Sequence, residues 1–195
     1  MQSGLNKGKI FVISGPSGSG KTTLAQSLLK DRKLKKKIAR SVSFTTRPKR
    51  SGEKNRKDYF FISQNDFKEK LKAKKILEWT RYLGYYYGTA KDFLGAQLRK
   101  SKAIVLCLDL KGAAEIKKLY PGITTTIFIM PSSLDELYSR IKNRCKDTKV
   151  REISRRLKLA GKEIRAKKRY DYIVVNKDLE AAVRELKGII NINLN

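Results

Sequence analysis

Four short apolar runs stand out of an otherwise polar, lysine-rich chain, at residues 10–13, 103–110, 124–130 and 172–175. Near-continuous apolar runs of this length are the pattern of strands covered on both faces. Between them lie stretches with helical spacing: residues 21 to about 29, where Leu24 and Leu28 fall one turn apart, then 134–144, 151–168 and 179–187. Strands alternating with helices predict an α/β fold built on a parallel sheet with helices on both faces. A further strand is expected at residues 41–45. From Arg47 to Tyr87 the pattern breaks, with Pro48, Gly52, Gly84, many aromatics, short strands such as 59–62, and one helix over 65–74 capped by Asn65 or Asp66. This stretch reads as a small lobe inserted into the core. With 195 residues, no internal repeat and no low-complexity linker, the chain is expected to form one domain.

Charge and composition narrow the function. Forty-six Lys and Arg against 18 Asp and Glu leave a net charge of +28, which draws anions. The bases are spread along the whole chain, with one dense stretch at residues 30–37, and read as a solvated lysine-rich surface. No nucleic-acid module is visible, so specific nucleic-acid binding is not expected. No apolar run approaches the ~20 residues of a membrane span. The N-terminus lacks the roughly 7–15-residue apolar stretch of a signal peptide. The expected location is therefore cytoplasmic, with no membrane partner. Cys107 and Cys145 form no metal-spaced pair, and Cys107, inside an apolar run, reads as a buried reduced thiol. The chain has no histidine, which removes zinc sites and His-based triads from consideration. No haem or flavin is expected either. Catalysis must come from Lys, Arg, carboxylates, backbone amides and a hard metal ion.

One segment names a ligand class. Gly15-Pro16-Ser17-Gly18-Ser19-Gly20-Lys21-Thr22 fits the P-loop pattern, after a predicted strand and at the start of a predicted helix. Glycines let the backbone curl so that successive amides point at phosphate oxygens, and the helix adds its positive end. Lys21 is expected to reach the β- and γ-phosphates, the Thr22 hydroxyl to ligate Mg²⁺, and Thr23 to extend the loop. These residues predict ATP binding with Mg²⁺, and leave the acceptor open.

A second cluster bears on the acceptor. Residues 41–53 (Ser-Val-Ser-Phe-Thr-Thr-Arg-Pro-Lys-Arg-Ser-Gly-Glu), 57–61 (Lys-Asp-Tyr-Phe-Phe), 76–79 (Ile-Leu-Glu-Trp) and 84–89 (Gly-Tyr-Tyr-Tyr-Gly-Thr) closely resemble the guanylate kinase family, in order and at nearly its spacing. The resemblance covers residues 9 to about 186. It implies a P-loop NTPase three-layer sandwich with a parallel central sheet, an inserted GMP-binding lobe (about 41–97) and a helical lid (about 134–167), the core being about 1–40, 98–133 and 168–195. It also implies transfer of the γ-phosphoryl group of ATP to GMP and dGMP. The residue types suit guanine, whose Watson–Crick edge presents two donors that one carboxylate, Glu78, can accept. Hydroxyls of Ser43 and Thr89 suit O6 or N7, while Arg47, Arg50, Tyr59 and Tyr87 suit a phosphate monoester. Asp109, at the mouth of the sheet, resembles the family's acid facing the guanine. Two departures appear: Cys107 stands where the family carries a second acid, and Lys111 where it carries Gln.

Phosphoryl transfer asks for positioned positive charge under a closing segment. Residues 140–148 resemble the family's arginine-rich lid, with Arg156, Leu157 and Glu163 as its second half. The resemblance thus implies Arg140 on the ATP side and Arg144 and Arg156 balancing charge at the reaction centre, with Arg155 as an alternative to Arg156 because one extra residue separates the halves. Lys21, Arg47, Arg144 and Arg156 are the expected catalytic set. Asn176 is expected near the ATP base. Other readings of the chain are a non-catalytic interaction scaffold, a kinase acting on another phosphorylated acceptor such as a ribose phosphate, and a nucleic-acid binder driven by charge.

Overall fold

The computed structural model describes residues 8–100, 102–144 and 150–194. Five strands, β1 (Ile10–Ser14), β2 (Ile38–Arg40), β7 (Ala103–Cys107), β8 (Thr124–Pro131) and β9 (Tyr172–Asn176), form the main sheet. Its order is β2-β7-β1-β8-β9, every pair parallel, with β1 in the centre. Alternation along β1 divides the interior in two. Phe11 and Ile13 face one core with Val105, Ile127, Ile129 and Val174; Ile10 and Val12 face the other with Ile104 and Leu106. Leu24, Ala25 and Leu28 of α1 (Lys21–Leu28) and Ala182, Leu186, Ile189 and Ile190 of α8 (Leu179–Leu194) close the first. Leu94 of α4 (Lys91–Arg99), with Ala113 and Ile116 of α5 (Leu110–Leu119), closes the second. The outcome is the expected three-layer sandwich.

A second sheet, ordered β4-β3-β6-β5, comprises β3 (Phe44–Thr45), β4 (Phe60–Phe61), β5 (Ile76–Tyr82) and β6 (Tyr85–Ala90). The β5–β6 hairpin turns through Leu83 and Gly84 with φ of 50° and 87°, a two-residue turn with both residues left-handed. The remaining helices are α2 (Arg32–Lys37), α3 (Gln64–Lys72), α6 (Leu134–Arg144) and α7 (Val150–Arg165). The last two pack on each other through Leu137, Ile141 and Ala160.

Several expectations are corrected. Residues 41–45 are not one strand: the chain leaves the main sheet after Arg40 and enters the second at Phe44, so residues 41–43 bridge the two. The strand expected over 103–110 stops at Cys107, because the Asp109 carboxylate accepts from the Gly112 amide at 2.8 Å and opens α5. Ser63 caps α3, and Asp66 is its reciprocal partner in a capping box. The lysine-rich stretch holds a helix, α2, which Asp31 caps and Leu34 anchors. The C-terminal helix runs to Leu194, beyond the expected 187.

Candidate active site

The phosphate loop joins the central strand to α1. Gly15, Gly18 and Gly20 hold φ of 138°, 91° and 94°, a left-handed region that other residues enter at a cost. Space matters too: a Cβ at Gly15 would strike the Ile129 carbonyl, and one at Gly20 the Asn176 amide. Inside the curl, Lys21 Nζ donates to the carbonyls of Gly15 (2.6 Å) and Pro16 (2.9 Å). The ammonium is thereby held over the loop. No side chain caps α1, whose N-terminal amides stand at the phosphate end of the cleft. The Asn176 amide donates to the Ser19 carbonyl at 2.8 Å, so this residue braces the loop from β9. Arg140 begins beside Gly18, pairs with Glu136 one turn back and reaches the Asn176 carbonyl at 3.4 Å.

A cleft of about 270 Å³ separates this loop from the second sheet, with α7 along its side. Ser17, Thr22 and Thr23 line it on the loop side; Ser43, Arg50 and Tyr87 line it opposite. Strand alternation puts Glu78, Thr80 and Tyr82 of β5 on the cleft face. Glu78 is 5% exposed and its Oε1 accepts from the Thr89 hydroxyl at 2.6 Å. Burial pushes this carboxyl up, the Thr89 bond opposes, and Asp109 and Glu115 add repulsion, so it titrates at about 7. Thr89 is thus spent on orienting Glu78. Asp109 lines the cleft nearby.

The cationic end is built around Glu53. Its carboxylate accepts from Arg47 Nη2 at 2.7 and 3.0 Å and from the Arg50 amide at 2.8 Å. Arg47 also donates to the Pro48 carbonyl at 2.7 Å, and its guanidinium lies 5.6 Å from the ring centres of both Tyr59 and Phe61. This buried fork is aimed before any ligand arrives. Burial pushes Tyr59 up to about 12, and Tyr87 and Cys107 add to it, so its hydroxyl is a donor at neutral pH.

From the lid side, Arg156 is 8% exposed and lines the cleft, whereas Arg155 points to solvent. Of the two alternatives, Arg156 meets the site. Arg144 ends α6, and its side chain lies outside the described residues. Cys107 is corrected from a core thiol to a half-buried one on the cleft wall, with Sγ 3.8 Å from the Lys21 carbonyl. Burial pushes that thiol up and keeps it un-ionised.

Four residues escaped sequence reasoning. Glu53 lies within the 41–53 stretch, but its bond to Arg47 forms only once the loop folds. Gln26 of α1 donates to Asp58 at 2.9 Å and ties core to lobe, a pairing with no local signal. Tyr82 was legible from its spacing, two pleats beyond Glu78. Glu163 falls in the second half of the lid by resemblance, yet it is buried and lines the same cleft. Among the described residues no three His, Cys, Asp or Glu side chains gather as a metal cage, and no helix is long and apolar enough to cross a membrane.

Comparison with known proteins agrees with this geometry. The guanylate kinase family profile matches residues 7–193. A guanylate kinase of Wolbachia pipientis is 39% identical over 186 residues, covering 95% of this chain and 90% of its own. One from Thermotoga maritima is 40% identical, covering 94% and 86%. The crystal structure of guanylate kinase from Anaplasma phagocytophilum superposes with a TM-score of 0.80 at 31% identity, covering 97% of this chain and 88% of that one. A phosphate loop facing a guanine-suited carboxylate and a phosphate fork, in a chain matched along its length, makes this protein a member of the guanylate kinase family, with ATP-dependent phosphorylation of GMP as its activity.

Proposed function

We propose that the cleft performs in-line transfer of the γ-phosphoryl group of ATP to the phosphate of GMP, and of dGMP, within the cytoplasm. The observation that carries this assignment of roles is the opposition across one cleft of Lys21, held over the phosphate loop, and the Arg47–Glu53 fork beside the buried Glu78. Glu78 accepts the guanine N1–H and N2–H₂ and rejects adenine, whose N1 lone pair faces the carboxylate. Thr89 fixes the carboxylate plane, while Ser43 and Asp109 contact the base edge. Arg47, Arg50, Tyr59 and Tyr87 hold the acceptor phosphate with one oxygen toward the phosphate loop.

Lys21 and the backbone N–H groups of the loop after Pro16 hold the ATP phosphates, and Arg140 and Asn176 complete that side. Arg156, delivered by α7, neutralises charge on the migrating group, and Arg144 acts with it. Such positioning and neutralisation account for most catalysis of this type. Closure of α6 and α7 as a lid excludes water that would hydrolyse ATP. The site fits Mg²⁺: the Thr22 hydroxyl follows Lys21 on the cleft wall, and a single protein oxygen beside triphosphate oxygens is a donor set that this hard cation accepts. Bound there through Thr22, Mg²⁺ would supply charge neutralisation across the phosphates. Cys107 offers no hard oxygen to the ion or its waters.

Coupled ADP-release assays with GMP, dGMP, AMP and ribose 5-phosphate, with and without Mg²⁺, test the proposal. Turnover is expected with the guanine nucleotides alone and only with the metal. Turnover of ribose 5-phosphate matching that of GMP would overturn it.

A further inference from the structure

Two polar atoms in the cleft have no hydrogen-bond partner among the described residues, Glu163 Oε2 and the Tyr82 hydroxyl. They come from opposite walls, Glu163 from α7 and Tyr82 from the end of β5, and both line the cleft. Glu163 is 6% exposed. A buried carboxylate oxygen without a donor is costly, and such a group persists where a ligand completes it.

The missing ligand can be read by elimination. It must donate to a carboxylate oxygen, which an ionised phosphate oxygen, itself an acceptor, cannot do. It must also satisfy a phenol, which both donates and accepts, so it is a hydroxyl or a water. A water would do, but it would be displaced when a nucleotide fills the cleft. Glu78 takes the base edge, and the Arg47–Arg50 fork takes the phosphate. On a nucleoside monophosphate the only hydroxyls left are those of the sugar, between base and phosphate. Tyr82 shares the cleft face of β5 with Glu78, about 13 Å further along by strand rise, which puts the pair on the acceptor side of the cleft.

Resting on the acceptor reading above, we propose that Glu163 and Tyr82 form a ribose subsite, Glu163 accepting from a sugar hydroxyl of GMP and Tyr82 completing the contact. The subsite makes the enzyme prefer the ribonucleotide. It also links lid to acceptor, because Glu163 travels with α7 and meets the sugar only when the lid lies over the nucleotide. Burial pushes Glu163 up to about 7, and a sugar donor favours its ionised form.

The test compares GMP with 2′-deoxy-GMP and 3′-deoxy-GMP in the full-length protein, Glu163→Gln, Glu163→Ala and Tyr82→Phe, by kcat/KM and by nucleotide-binding calorimetry. A hydrogen bond to a charged group corresponds to a preference on the order of ten- to a hundredfold. The unaltered protein is expected to prefer GMP over at least one deoxy analogue by that factor, chiefly in KM. Both Glu163 variants should lose affinity for GMP, keep their affinity for that analogue, and bring the ratio close to one. Tyr82→Phe should lower it by less. A purely structural role would weaken all three nucleotides together, leave the ratio unchanged and overturn the proposal. Equal use of all three by the unaltered protein would overturn it as well. Calorimetry reads the ratio without turnover, so a protein that binds GMP selectively but fails to phosphorylate it contradicts the proposed reaction and not the subsite.

Discussion

Gly112, in the first turn of α5, lies against Glu78: a Cβ on Gly112 would come within 2.8 Å of Glu78 Oε2. The carboxylate cannot simply swing aside, because its other oxygen is held by Thr89. Gly112→Ala is therefore expected to displace the guanine reader and raise the KM for GMP roughly tenfold, at similar kcat, the scale of one impaired charged hydrogen bond. The substitution suits a helix, where Ala is favoured over Gly by about 0.5–1 kcal/mol. The contact with the pinned carboxylate opposes that gain, so the melting temperature should hold or fall. Steady-state kinetics beside thermal melts checks both halves.

Protonation of Glu78 makes a second prediction. With its carboxyl raised from 4.5 to about 7, the fold binds a proton that the unfolded chain has released between those values. Stability contributed there is present below pH 4.5 and falls as pH rises towards 7, by an amount on the order of 2–3 kcal/mol. Glu78→Gln should therefore stabilise the free protein at pH 8 and give no gain at pH 4. Binding runs the other way. The ionised form accepts both guanine donors, so the KM for GMP should fall as pH rises from 6 to 8. Urea melts and KM profiles across that range read the two effects, and a flat KM profile would contradict the reading of Glu78.

Lys21→Ala should abolish measurable turnover, a loss of at least about 10²–10³-fold, since it removes charge that stabilises the transferring group. The loop is also shaped by glycine geometry and braced by Asn176, so the fold should survive. Circular dichroism with a single-turnover assay separates the two, and near-normal turnover would defeat the assignment.

Glu53→Gln should weaken GMP binding without touching ATP. Arg47 loses its charged partner, though not its place between Tyr59 and Phe61, and the Arg50 amide keeps an amide oxygen to donate to. A severalfold rise in the KM for GMP, with the KM for ATP unchanged, is the expected result in two-substrate kinetics.

What could be read in the sequence follows from how local each signal is. Residues 10–13 are legible because every side chain of β1 is buried, which leaves an unbroken apolar run up to Ser14. The phosphate loop is legible because three positive-φ positions and a close carbonyl impose glycine at fixed spacing. The break at residues 41–43 is not, since only non-local pairing decides which sheet a short strand joins. The start of α5 was masked because Leu108 and Leu110 continue the apolar pattern of β7 across Asp109. In α2 the basic residues hid a helix whose sole buried side chain is Leu34. The contacts Glu53–Arg47 and Gln26–Asp58, and the presence of Glu163 and Tyr82 on one cleft, depend on loops and layers coming together, which no spacing encodes.

The five-residue central strand leaves the nucleotide loop no slack. Inserting or deleting a residue between Gly8 and Gly15 would turn Phe11 and Ile13 toward α5, Ile10 and Val12 toward α8, and rotate the whole cradle away from its acceptor. Lengthening the turn at Gly84, where a Cβ would touch nothing within 4 Å, leaves both cores intact, whereas the turn at Gly52 must keep Glu53 within reach of Arg47 and the Arg50 amide. Evolution and engineering can therefore rewrite the hairpin tip of this enzyme while the spacing of its centre stays frozen.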